Sequence, residues 1–148
     1  MSDGDDMSDK PVNASADDLK GWFGRYGWSY EAIDDITFRT GFRGKNASFV
    51  ALVRITDFWV VFSINPLVKA PTAGFGEAGL RALAMANHQA NLAKFGVDDE
   101  GDAFINVELP TEGFTWAHFQ AAIGALAEFA DGLIVPLLQA RAIDERQA

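Results

Sequence analysis

Between residues 36 and 64 apolar side chains recur at every second position through three successive runs, and no other feature constrains the fold as tightly. Ile36, Phe38, Thr40 and Phe42 alternate with Thr37, Arg39 and Gly41. The cluster Arg43-Gly44-Lys45-Asn46 reads as a turn; a second run goes from Ala47 to Ile55 and a third from Phe58 to Ile64. Thr56-Asp57 has the length of a two-residue hairpin loop without its usual glycine. With these loops Ile55 faces Phe58, Val53 faces Val60, Ala51 faces Phe62 and Phe49 faces Ile64. In the first hairpin Phe42 meets Ala47, Thr40 meets Phe49, Phe38 meets Ala51 and Ile36 meets Val53. Both hairpins send their apolar sets to one face, and a one-residue slip would turn one strand's set to the other. The pattern predicts a three-stranded antiparallel meander.

Helical spacing flanks the meander. Ser15 and Asp18 form a capping pair ahead of Leu19, Trp22, Phe23 and Tyr26, which share one face of a short helix weakened by Gly24 and Gly27. Asn65-Pro66 is expected to end the third strand, and Pro71, Gly74 and Gly76 mark a loop. A helix is predicted over 77–94, with Leu80, Ala84, Asn87 and Asn91 in one seam flanked by Leu83 and Ala90, and Gly96 as its C-terminal cap. Ala103, Ile105, Val107 and Leu109 alternate as a further strand, and residues 93–97 can pair with it. Thr115 or Thr111 caps a last helix whose stripe is Phe119, Ala122, Ile123, Leu126, Phe129, Ala130 and Leu133; Pro136 should kink or shorten its end.

The order is α-β-β-β-α-(β)-β-α, an α+β class in which helices pack an antiparallel sheet. The expected organisation is a disordered acidic leader over 1–14, one domain over 15–140 and a charged tail over 141–148 that frays.

Composition narrows the function. The chain of 148 residues has no cysteine, which excludes thiol catalysis, cysteine-ligated metal and disulfides and fits a cytoplasmic protein. Twelve Lys and Arg face 21 Asp and Glu, for a formal charge of −9. Asp3, Asp5, Asp6, Asp9, Asp17 and Asp18 crowd the first twenty residues, yet the body stays acidic without them. Such a field repels phosphate backbones, so no nucleic-acid partner is expected. No run approaches the roughly 18 consecutive apolar residues of a membrane span.

Chemical motifs are weak. Gly74-Phe75-Gly76-Glu77-Ala78-Gly79 has the spacing of a dinucleotide-binding loop, but that motif needs a tight turn from a parallel strand into a helix, and nine residues with two prolines separate Ile64 from Gly74. Glycines that loosen a loop and start a helix explain it better. His88 and His118 sit on different predicted helices, and the acidic turn Asp98 to Asp102 lacks the ligand spacing of a calcium loop. No catalytic residues, metal or cofactor are predicted. Asn87 and Asn91, four apart, either tie their helix to neighbouring backbone or line a polar pocket for a small molecule.

The sharper signal is the other side of the sheet. Arg39, Val50, Leu52, Arg54, Trp59 and Val61 point away from the predicted core, with Leu52 opposite Val61 and Arg54 opposite Trp59, within reach of a cation–π contact. Apolar patches rimmed by polar groups mark interfaces, and Trp and Arg are typical anchors. Either the first helix covers this face or it is a homodimer or client surface.

Met85-Ala86-Asn87-His88-Gln89-Ala90-Asn91-Leu92-Ala93-Lys94-Phe95, then an acidic turn and a strand, resembles the helix with paired asparagines of the YbjN-like family. Phe129-Ala130-Asp131 through Pro136 and Leu137 resembles its closing pattern. The resemblance spans about residues 19–138; Trp59 and the glycine-rich loop lie outside its pattern. It implies a fold similar to type III secretion chaperones, commonly dimeric, and a sensory-transduction regulator or chaperone-like binder that takes a protein client, with no catalytic residues to carry over.

Overall fold

The computed structural model describes residues 12–147. Ser15 opens helix α1 (Ala16–Tyr26) with a complete capping box: its hydroxyl accepts from the Asp18 N–H at 3.1 Å, and the Asp18 carboxylate accepts from the Ser15 N–H at 2.8 Å. Gly27 ends the helix at φ 90°, a left-handed conformation that favours glycine. Strands β1 (Tyr30–Ala32), β2 (Thr37–Arg43), β3 (Ser48–Ile55) and β4 (Trp59–Val68) follow, then α2 (Glu77–Gln89), β5 (Lys94–Val97), β6 (Ala103–Pro110) and α3 (Trp116–Gln147). The strands form one antiparallel sheet in the order β1-β2-β3-β4-β6-β5.

The meander forms with the predicted faces but a different register. Phe42 pairs with Phe49, Thr40 with Ala51 and Phe38 with Val53; Val53 pairs with Phe62 and Ile55 with Val60. Each hairpin is displaced by two residues, and an even displacement keeps every side chain on its face. Two local devices set it. Thr56 accepts from the Trp59 N–H through its hydroxyl at 3.0 Å and donates its own N–H to the Trp59 carbonyl at 2.8 Å, so Asp57-Phe58 becomes the loop tip. At the other hairpin the Lys45 and Asn46 N–H groups donate to the Asp131 carboxylate of α3 at 2.9 and 2.8 Å, while the Gly44 N–H reaches the Ala47 carbonyl. Strand β4 runs on to Val68 through an irregularity after Ile64, past the proline expected to end it. The extra strand β1 has three exposed residues and no alternation, which is why the sequence pattern misses it.

The inner face holds the core. Phe23 of α1, Phe38, Phe62 and Phe119 are fully buried, with Phe119 edge-on to Phe23 at 5.1 Å. Helix α3 lays Phe119, Ala122, Ile123, Leu126, Ala130, Ile134 and Leu137 into this layer. Among the described residues α3 is the one helix long and apolar enough, by length and composition, to cross a bilayer; Glu128 and Asp131 break its apolar run.

Three helical expectations change. Helix α2 ends at Gln89, where the Ala90 N–H meets the Ala86 carbonyl; Gly96 lies in β5 under the Phe104 ring and caps nothing. Its buried seam is Gly79, Leu83 and Ala86, while Leu80 and Ala84 face outward, because the helix packs on α3 and β5 together. Pro136 does not stop α3, which is helical through Gln147 over the described residues. Arg141 donates to the Lys69 and Ala70 carbonyls, and Glu145 accepts from Thr72, so contacts beyond the proline hold the helix in place. The expected leader lies outside the described residues up to Pro11; Val12 to Ala14 run beside Thr111 to Gly113.

Candidate functional site

Among the described residues the three helices lie on the inner face, and none of them covers the outer one. Helix α1 spends its apolar stripe on the core: Leu19 and Phe23 are fully buried, with Phe23 against Phe38 and Phe119. On the outer face Val50 is 62 % exposed, Trp59 48 % and Leu52 43 %, with Val61 half-buried between them. Phe58, at the hairpin tip beside them, is 77 % exposed.

Arg39 and Arg54 stand on the same face. Arg39 meets Glu31 at 3.5 Å, both ends more than half exposed. Because of the two-residue register difference Arg54 lies opposite Val61 and Thr37, and Trp59 opposite Pro110, so the expected Arg54–Trp59 pair does not form. The cation–π contact present is Arg25 over Trp116, at 4.3 Å. One row of paired residues crosses all six strands: Glu31, Arg39, Leu52, Ser63, Asn106, Lys94. Lys94 also reaches Glu108 at 2.6 Å, and Asn106 Oδ1 is buried with no hydrogen-bond partner.

The asparagine pair does not share a helical face, because Asn91 lies beyond the end of α2. Asn87 donates to the Phe95 carbonyl at 3.0 Å and accepts from the Phe95 N–H at 2.7 Å, which occupies the free edge of β5. Its amide ties helix to strand.

The glycine-rich loop does hold an anion, and the chain supplies it. The buried Asp144 carboxylate accepts from the N–H groups of Gly76, Ala78 and Gly79 at 2.8, 3.1 and 2.8 Å, at the positive end of α2. A Cβ on Gly76 would lie 2.9 Å from that carboxylate and one on Gly79 2.6 Å, so both glycines make room for Asp144. The preceding strand is antiparallel to its neighbours, which removes the geometry a dinucleotide needs.

His88 is exposed, and His118 accepts from the Thr115 N–H at 3.0 Å at the start of α3. Among the described residues no three His, Asp or Glu side chains gather as a metal site. In the acidic turn Asp98 accepts from the Glu100 and Asp102 N–H groups, and Asp102 from the Ala70 N–H. The site residues that sequence reasoning missed are Asn106, Asp131 and Asp144. Asp131 was visible only inside the family pattern; nothing local marks the other two.

An α+β fold of one antiparallel sheet with helices on one side is shared with type III secretion chaperone structures. A chain in the heterodimeric ExoU–SpcU complex from the type III secretion system of Pseudomonas aeruginosa superposes with TM-score 0.59 at 17 % identity, over 80 % of this chain and 97 % of that one. A chain of the ExsC–ExsE complex gives 0.59 at 17 %, over 82 % and 92 %. The structure of the Yersinia pestis type III secretion chaperone SycH with a fragment of YscM2 gives 0.54 at 11 %, over 80 % and 98 %. Comparison with curated proteins gives no match. The model of the YbjN family, described as "Putative bacterial sensory transduction regulator", matches residues 15–137, and the chain belongs to that family.

Proposed function

We propose that this domain is a non-enzymatic protein-binding module, chaperone-like or regulatory, which works in the bacterial cytoplasm as a homodimer through the outer sheet face. The observation that carries the reading is that face: Arg39, Val50, Leu52, Arg54, Trp59 and Val61 lie together, uncovered by any helix among the described residues. Burying apolar surface yields about 25 cal/mol per Å², so an uncovered sheet face gains by desolvating against another polypeptide. The structural neighbours include chaperones solved with effector or partner proteins, which favours a protein client, and the family description offers sensory transduction as the setting.

Trp59→Asp tests it. The side chain is half exposed, so the fold should survive with an unchanged circular dichroism spectrum. Native mass spectrometry of the chain purified from its own host should then show loss of the dimer or of a co-purifying polypeptide. Unchanged assembly and unchanged client would overturn the reading.

A further inference from the structure

Past Ser63 the outer face opens into a groove. The ladder between β3 and β4 runs from Ile55↔Val60 only to Leu52↔Ser63, although both strands continue. The Ile55 N–H reaches the Ile36 carbonyl and the Gly44 N–H that of Ala47, so odd-numbered residues of β3 bond to β2 and even-numbered ones face β4. Val50 and Ser48 come next in that phase and have no rung, because β4 bulges through residues 65–67 and takes up its pairing with β6 again at Val68. The opening has a volume of about 750 Å³. Val50 and Leu52 stand on one side of it and Leu67 on the other, and Ile134 and Leu138 of α3 also line it.

The charge beside this groove is opposite to that of the chain. Among the described residues Arg39 is the one charged residue lining it. Next to Leu52, Val50 and Ser48 on β3 stand Arg39, Gly41 and Arg43 on β2, so two arginines four residues apart flank a position without a side chain. Arg39 meets Glu31 at 3.5 Å with both ends exposed, which is a weak pair. Arg43 forms no ion pair among the described residues. The chain carries −9 in all, but charges farther than about 8 Å are largely screened at physiological salt, so the arginines set the field at the groove.

We infer that this groove takes an extended acidic segment of a client protein, with an aromatic residue midway between two carboxylates four residues apart. The inference rests on the outer face being the binding surface and names what it takes. In an extended chain residues i, i+2 and i+4 share a face. That spacing sets the two acids within reach of Arg39 and Arg43 and the middle residue at Val50, from where a ring enters the groove. A tyrosine suits the opening, since its ring packs on Val50 and Leu67 and its hydroxyl can bond the backbone rung left open at Val50. A purely apolar side chain would cover that rung and leave it without a partner.

The probe is an end-blocked pentapeptide of glutamate, threonine, tyrosine, threonine and glutamate, beside a second with lysine in place of both glutamates. Each is titrated into the full chain at low salt, followed by calorimetry and by amide NMR. The acidic peptide should bind at least about tenfold more tightly, two attractive pairs being exchanged for two repulsive ones in the other. Amide shifts should centre on Val50, Leu52 and Leu67. Arg43→Glu changes a side chain without an ion pair, so circular dichroism should stay the same while the acidic peptide weakens about three- to tenfold and the basic one tightens. Equal affinity for the two peptides, or a silent Arg43→Glu, overturns the acidic segment. Shifts that avoid the groove overturn the site. Failure of both peptides to bind at millimolar concentration overturns the client segment, while Trp59→Asp still tests the face. A second copy and the segment would compete for Val50 and Leu52, so the dimer fraction should fall as the acidic peptide saturates. A dimer that persists at saturation, with shifts in the groove, supports the segment's site and overturns the pairing of copies through that face.

Discussion

Asp144 ties the C-terminal end of α3 to the start of α2 in the middle of the chain. It sits near the end of α3, buried, and accepts three backbone N–H groups that α2 cannot satisfy itself. Asp144→Ala would leave those donors, buried at Gly79 and part-buried at Gly76 and Ala78, without their partner and should cost about 2–3 kcal/mol, read as a lower urea midpoint. Asp131 does related work at the hairpin between β2 and β3. The Asn46 N–H above all holds its carboxyl below the usual range; desolvation, next in size, opposes it, and the Lys45 N–H adds to the lowering. The Thr72 hydroxyl and N–H do the same for Glu145. A carboxylate whose folded pKa is depressed lends stability above its unfolded pKa and loses it as pH falls through the folded one. Urea midpoints should therefore drop on acidification from about pH 7 to below the ordinary carboxylate range, and Asp131→Asn should flatten that acid limb. An unchanged limb would show that the hairpin contact carries no linkage.

Elements end where partners outside them appear. Helix propensity alone would carry α2 on to Lys94, since residues 90–94 contain neither glycine nor proline. Instead the chain leaves the helix after Gln89 so that residues 94–97 can pair with β6, and Asn87 seals the outer edge of the new strand. Asn87→Ala should cost about 1 kcal/mol, and hydrogen exchange should show the Phe95 amide opening faster while amides of β3 keep their protection. Equal protection at Phe95 would mean that the side-chain contact does not hold the edge. The same logic explains Pro136. It removes one helical hydrogen bond, yet α3 continues because Arg141, Asp144 and Glu145 are anchored on the loop before α2 and on its first turn.

At the scale of the molecule, the sheet divides the chain into a filled side and an open side. The alternation of residues 36–64 made that division legible in advance. It named the core residues Phe38, Val53 and Phe62 and the outer set Arg39, Val50, Leu52, Arg54, Trp59 and Val61. It could not say whether a helix covers the outer set, and the packing of Leu19 and Phe23 into the core decides that. Nor could it find Asn106, whose lack of a partner is a property of its surroundings.

The sequence by itself determined the parity of each strand of the meander, the capping box of α1 and the core residues of the meander. These depend on side-chain direction, which alternates along a strand, and on groups within a few residues of one another. Tertiary structure decided the two-residue register, the end of α2, the continuation of α3 past Pro136 and the openness of the outer face. The contacts responsible join residues far apart in the chain, 86 between Lys45 and Asp131 and 68 between Gly76 and Asp144. No local pattern encodes a hydrogen bond whose two halves meet only after the chain has folded.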